Sequence, residues 1–271
     1  MDGPQLRELS ELCLDIAEDA GAFVHSAFRS RPAAGQKAGF ADLVTEYDVR
    51  SEELIRRRLE STGLPIVGEE QGGPGADAIA GGPSIHIDPI DGTTNFVHGH
   101  PFYCVSIGVL GPDGPLLGVI VAPALGHRWV GGPALGAARD GEPCAVTDTA
   151  ELSGCLLATG FAPDQRELSR QRNVVNYTRA LARARGIRRC GSAALDLALT
   201  ADGTYDGYWE MALHSWDTVG GSAIALGAGA TITDLRGGPV DWDIGYLCVS
   251  NGHIHDELLS LFEDTEPSGS R

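Results

Sequence analysis

The chain has 271 residues, 42% of them hydrophobic and 21% charged, enough for one large domain or two small ones around a packed core. Its formal net charge of −17 argues against nucleic acid or an anionic membrane surface as a partner. The same charge would repel an anionic substrate unless bound cations reverse the field locally. No apolar run reaches the roughly 18 residues of a membrane helix. The opening MDGPQLREL has neither the basic start nor the apolar core of a signal peptide, so a cytoplasmic location is expected. Cys13, Cys104, Cys144, Cys155, Cys190 and Cys248 form no CxxC pair and no zinc spacing with histidine, and read as reduced thiols. Lys37 is the sole lysine.

Apolar residues at helical spacing from Leu6 to Ala27 predict an amphipathic helix over 5–29. RSRPAAGQKAG reads as a loop, and Thr45 opens a second helix with Asp48 completing a capping box. LPIV is a short strand ending at GEE (68–70), and 71–83 is a Gly-rich loop able to act as a flap. SIHID (84–88) is a strand, 102–110 and 115–123 form a hairpin around GPDG, and HRWVGG and GAARDGEPC continue with short strands. Near residue 145 the pattern changes. Helices are predicted over 167–184, SAALDLALTAD and 216–228, and strands over GIRRC, YDGYWEMA, TITDL and YLCVS. The chain closes with a helix, HIHDELLSLF, and a tail, EDTEPSGSR, expected to be disordered. The expected organisation is an α+β half (1–145) and an α/β half (146–271) with a cleft between them.

Acidic residues recur where these elements begin or end: Asp42, Asp48, Glu69, Glu70, Asp88, Asp91 and Asp217. Singly, each is explained as a cap, a turn residue or a first-turn acid. Together they offer the several oxygen donors that a hard cation such as Mg²⁺ requires. Asp88 and Asp91 stand three apart in IDPIDGTT, with the carbonyl of Ile90 between them. Gly92, Thr93 and Thr94 then open a helix whose first N–H groups suit a phosphate. Cations on one side and amide donors on the other are the parts of a phosphoryl-transfer site.

These residues resemble the inositol monophosphatase family of Mg²⁺-dependent, lithium-sensitive phosphatases. The resemblance rests on DLVTEYD (42–48), GEE (68–70), DPIDGTT (88–94), GSAALDLA (191–198) and WD (216–217), and runs from about residue 6 to about 262. It implies a layered αβαβα sandwich, a homodimer and two to three Mg²⁺ per site. By position, Glu69, Asp88 and the carbonyl of Ile90 would hold the first ion, and Asp88, Asp91 and Asp217 the second. A third, weaker ion would lie near Glu69, with Lys37 close by. Thr93 and Asp48 would orient the attacking water and Glu69 would help take its proton. The amides of Gly92, Thr93 and Thr94 would receive the phosphate, and Gly191, Ser192, Ala193 and Glu210 would contact the alcohol. His98, His100 and His214 read as structural or pocket-lining. Inositol 1-phosphate is the expected substrate, because the Glu210 carboxylate can accept from vicinal hydroxyls. Histidinol phosphate, a nucleotide phosphate, fructose 1,6-bisphosphate and a secondary-metabolite cyclitol or sugar phosphate are alternatives. A compact monophosphate is favoured over a bisphosphate, although Arg188 and Arg189 precede the GSAA segment. A non-catalytic interaction protein keeping the same fold is the competing class.

Overall fold

The computed structural model describes residues 1–37, 42–74, 81–161, 167–243 and 245–262, with backbone alone for 167–170. The centre of the Gly-rich loop (75–80) and the acidic tail (263–271) lie outside the described residues.

Leu6, Leu9, Cys13, Ile16 and Ala20 bury one stripe of α1 (Gly3–His25). Asp2 caps it by accepting from Gln5 N at 2.9 Å, and Gln5 accepts from Asp2 N in return. The helix stops short of residue 29, and both Arg29 and Arg31 take left-handed backbone angles there. The stretch read as a plain loop contributes β1 (Ala34–Gln36), which pairs antiparallel with β2 (Leu43–Thr45). Thr45 and Asp48 form the expected capping box at the start of α2 (Glu46–Leu59).

Seven strands then line up in chain order: β3 (Ile66–Gly68), β4 (Ser84–Asp91), β5 (Cys104–Gly111), β6 (Gly114–Ala122), β7 (His127–Gly132), β8 (Gly136–Arg139) and β9 (Glu142–Pro143). β3 and β4 are parallel, and the rest form an antiparallel meander. A short helix, α3 (Thr93–His98), follows β4. The second sheet has the order β11 (Gly186–Arg188), β10 (Leu156–Thr159), β12 (Gly207–Glu210), β14 (Leu247–Ser250) and β13 (Thr231–Thr233). β10 runs parallel to both its neighbours, and β14 antiparallel to both of its own. Four further helices complete the described chain: α4 (Glu167–Leu181), α5 (Ala193–Ala201), α6 (Ser215–Gly227) and α7 (His255–Leu259). The expected terminal helix ends early, in a 3₁₀ turn at Ser260–Phe262.

The elements stack as five layers. α1 and α2 cover one face of the seven-stranded sheet, α5 and α6 lie between the sheets, and α4 and α7 cover the far face of the five-stranded sheet. This is the expected αβαβα sandwich. The middle layer is close because α6 meets β5 and β6 backbone to backbone. A Cβ on Gly118 would lie 1.8 Å from the carbonyl oxygen of Gly220, and one on Gly108 would lie 2.5 Å from Gly220 N. Among the described residues, no helix is long and apolar enough to cross a membrane.

Candidate active site

The site begins as an irregularity in β4. Pairing with β5 jumps from Asp88–Ser106 to Asp91–Cys104, because Pro89 has no N–H to give the ladder. Asp88 therefore does not end the strand, as the sequence predicts. The strand continues past a bulge to Asp91, and Asp88 Oδ1 accepts from Ile90 N at 2.9 Å within the bulge. Both aspartates are buried. Gly92 has φ +95°, and a Cβ there would meet Phe102 O at 3.0 Å, so glycine alone makes the sharp entry to α3.

The other acids arrive from different elements. Glu69 follows β3, and its N–H donates to Ile87 O at 3.3 Å. Its Oε1 accepts from Lys37 Nζ at 2.8 Å, and the same ammonium donates to Glu70. Asp217 sits in the first turn of α6, where its Oδ2 accepts from His214 N at 2.7 Å. Asp91 Oδ2 accepts from Ser192 Oγ and from Ala194 N, each at 2.7 Å. The N-terminus of α5 thus holds a carboxylate from the other sheet.

These groups share one cleft of about 430 Å³ between the two halves. All the site residues expected from the sequence line it, with the exception of Asp48. Asp48 is fully buried behind Thr93, whose hydroxyl donates to Asp48 Oδ1 at 2.8 Å and has Ile90 O within 2.9 Å. Thr45 N and Oγ1 hold the second oxygen of Asp48 at 2.7 and 2.6 Å. Asp48 therefore meets the cleft-lining residues through Thr93 and does not itself line the cleft.

On the opposite wall stands Glu210, whose Oε2 accepts from Tyr208 OH at 2.5 Å. Gly160 packs so tightly on it that a Cβ would lie 1.9 Å from the same oxygen. Arg189, Phe161, His214 and Trp216 complete this wall, with the rings of His214 and Trp216 stacked at 4.5 Å. The sequence reading noted Arg189 only as a neighbour of the GSAA segment and missed Phe161, Trp216 and the Tyr208 contact. Trp216 lay in a motif already singled out, beside Asp217. Tyr208 lies two residues before Glu210 on one strand face, a spacing from which their contact could have been read.

Burial dominates the electrostatics. It pushes the carboxyls of Asp88 and Asp217 well above the usual range, and neighbouring carboxylates add to the rise. Glu69 is raised by burial against the pull of Lys37. Asp91 rises to about 6, opposed by its bonds from Ser192 and Ala194, and Glu210 to about 7, opposed by Tyr208. Such a cluster strongly favours either protons or cations. Its donors are all oxygen: four carboxylates and the Ile90 carbonyl on the cleft wall. That set fits a hard divalent cation and no thiophilic one. Among the described residues, no three acidic, histidine or cysteine side chains already stand at the spacing of a bound ion, and Lys37 takes up Glu69 instead.

Fold and cleft together define a class, the layered phosphatases whose acidic site lies between two sheets. The chain belongs to the inositol monophosphatase family, whose model matches residues 5–266, and is a phosphoric monoester hydrolase. It is 36% identical to an inositol-1-monophosphatase of Synechocystis over 94% of this chain and 88% of that protein. It is 34% identical to the Nus factor SuhB of Pseudomonas aeruginosa over 83% of this chain and 84% of that one. Among solved structures it resembles inositol monophosphatase from Anabaena (Nostoc), with a TM-score of 0.85 and 34% identity over 97% of this chain and 98% of that one.

Proposed function

We propose that the chain hydrolyses the phosphate monoester of a small polyol or sugar, inositol 1-phosphate foremost, by direct in-line attack of water, with two to three Mg²⁺ per site and sensitivity to Li⁺. The observation that carries this reading is the convergence of Glu69, Asp88, Asp91 and Asp217 on one wall of a cleft whose other wall presents Glu210. When bound, Mg²⁺ lowers the pKa of water and neutralises the departing alkoxide. Glu69, Asp88, the Ile90 carbonyl, Asp91 and Asp217 would hold it.

The chain's own groups supply the rest. Thr93 donates its hydroxyl hydrogen bond to Asp48, which leaves the Thr93 oxygen lone pairs to accept a hydrogen bond from the attacking water. The capping box fixes Asp48, so the hydroxyl has one orientation. Glu69 is the group placed to take the water's second hydrogen bond and its proton. Gly92, Thr93 and Thr94 begin α3 at the floor of the cleft and offer amides to the phosphate. Glu210 has given Oε2 to Tyr208, so Oε1 is the atom that selects a substrate hydroxyl. Gly191, Ser192 and Ala193 border the same space. Ser192 and the start of α5 also have the task of holding Asp91.

One observation favours a second reading. Arg189 lines the cleft beside Glu210, so an alcohol carrying another anionic group, as in fructose 1,6-bisphosphate or a nucleotide, has a cation to meet. The test is phosphate release with Mg²⁺ from a panel of inositol 1-phosphate, histidinol phosphate, fructose 1,6-bisphosphate, sugar phosphates and nucleotides. The highest kcat/KM is expected for inositol 1-phosphate. A preference for bisphosphates that disappears in Arg189→Ala would establish the second reading instead. The proposed assembly is a homodimer, located in the cytoplasm, with no nucleic-acid or membrane partner.

A further inference from the structure

Glu52 lies on the inner face of α2, fully buried and absent from the wall of the cleft. Its Oε1 accepts from Arg56 Nε at 2.7 Å and from Gln71 N at 3.0 Å, and its Oε2 accepts from Glu70 N at 2.7 Å. The Arg56 guanidinium continues outward, donating to Ile66 O at 3.3 Å and to Gly72 O. One helix thus grips both arms of the 66–72 turn. Glycine at 68 admits the carboxylate, since a Cβ there would lie 2.5 Å from Glu52 Oε1 and 2.7 Å from Arg56 Nη2. The turn carries Glu69 into the cleft, and Glu69 N is tied in addition to Ile87 O.

We infer that Glu52 and Arg56 are a positioning pair that fixes the backbone presenting Glu69, and so sets how tightly the site takes Mg²⁺. The inference rests on the proposed reading of Glu69 as a metal ligand. A buried ion pair is a weak source of net stability. Hydrogen bonds that orient a ligand from behind typically change metal affinity by about 10–100-fold. Neither residue lines the cleft, and the effect passes through the backbone of Glu70 and Gln71.

The test is calorimetric Mg²⁺ titration of the metal-stripped full chain, alongside thermal unfolding without Mg²⁺ and substrate kinetics at saturating Mg²⁺. In Glu52→Gln, one amide oxygen cannot serve three N–H donors, and the amide NH₂ faces a donor. Mg²⁺ affinity is expected to fall about 10-fold or more, while KM for the substrate at saturating Mg²⁺ stays within about twofold. Wild-type Mg²⁺ affinity in folded Glu52→Gln overturns the inference and leaves the reading of the site intact. If Glu52→Gln does not fold, Arg56→Lys decides the matter. It keeps the charge but loses the fork to Ile66 and Gly72, so a weakened Mg²⁺ affinity is expected and an unchanged one overturns the inference. A wild-type chain that takes up no Mg²⁺ overturns the reading of the site and this inference with it.

Discussion

At the scale of single residues, Asp91 shows how the site divides its labour. One of its oxygens accepts from Ser192 and Ala194, and burial, with a smaller push from Glu69, raises the carboxyl's pKa to about 6. Asp91→Asn removes that buried charge, and its carbonyl oxygen can still accept both bonds. The metal-free variant should therefore melt at the same temperature as the wild type or a few degrees higher. Its Mg²⁺-induced thermal shift should shrink, since Asp91 belongs to one of the two ions' ligand sets, and its turnover should fall to background. Thermal unfolding with and without Mg²⁺, with a phosphate-release assay, checks this, and full turnover in the variant would contradict it. That Asp88, Asp91, Glu69 and Asp217 line one cleft was legible from the family motifs that carry them. Glu52 was not legible. Its partner is a backbone turn 18 residues away in sequence, and the pairing has no compositional signature.

At the scale of elements, β4 and α6 carry the most information. The sequence reading ended β4 at Asp88, whereas the strand bulges at Pro89 and pairs again at Asp91. A proline removes a donor, but it does not say whether a strand resumes beyond it. β10 was missed because LLAT, three apolar residues and a threonine without alternation, does not distinguish a buried strand from a helix segment. β1 was missed because AGQ has no β-forming residue, and its partner β2 supplies the pairing. The small residues of α6 marked a helix but not its purpose, which is contact with β5 and β6 at backbone distance. Gly118→Ala forces a Cβ against a carbonyl 1.8 Å away, and backbone cannot swing aside as a side chain can. A loss of about 3 kcal/mol or more is expected, read as a drop in Tm of several degrees. Gly82→Ala, with nothing within 4 Å of its Cβ, is the neutral control. Equal melting of the two variants would contradict the close-packed middle layer.

At the scale of the whole molecule, the two sheets divide near residue 145, but the site does not. Lys37, Glu69, Asp88 and Asp91 come from one side of that division, and Glu210 and Asp217 from the other. The layered fold was legible from the family motifs and element order. On the cleft's far wall Glu210 and His214 were expected, but Phe161 and Trp216 were not, since their place depends on how the halves meet. The net charge of −17 and the buried acids make cations and protons rivals for the same oxygens. The raised pKa values mean that the folded chain keeps protons that the unfolded chain loses near pH 4. These groups therefore weaken the metal-free fold as pH rises from about 4 through the values near 6 for Asp91 and 7 for Glu210. His86, lowered to about 4 by burial, acts oppositely and costs stability as pH falls from about 6.5 toward 4. Mg²⁺ binding to the carboxylates releases protons, so its stabilisation should grow with pH. The Tm shift produced by a fixed Mg²⁺ concentration is expected to be larger at pH 8 than at pH 5.5. A shift independent of pH would place the ion away from these acids.

Phosphate-ester hydrolysis by this chain is proposed to require a divalent cation, which Glu69, Asp88, Asp91 and Asp217 would hold. The most direct test of that requirement is phosphate release from inositol 1-phosphate by the metal-stripped chain as Mg²⁺ is added back. The expected result is no release in EDTA, a rate that rises with Mg²⁺ to saturation, and inhibition of that rate by Li⁺ at millimolar concentration. An undiminished rate in the metal-stripped chain would contradict the claim.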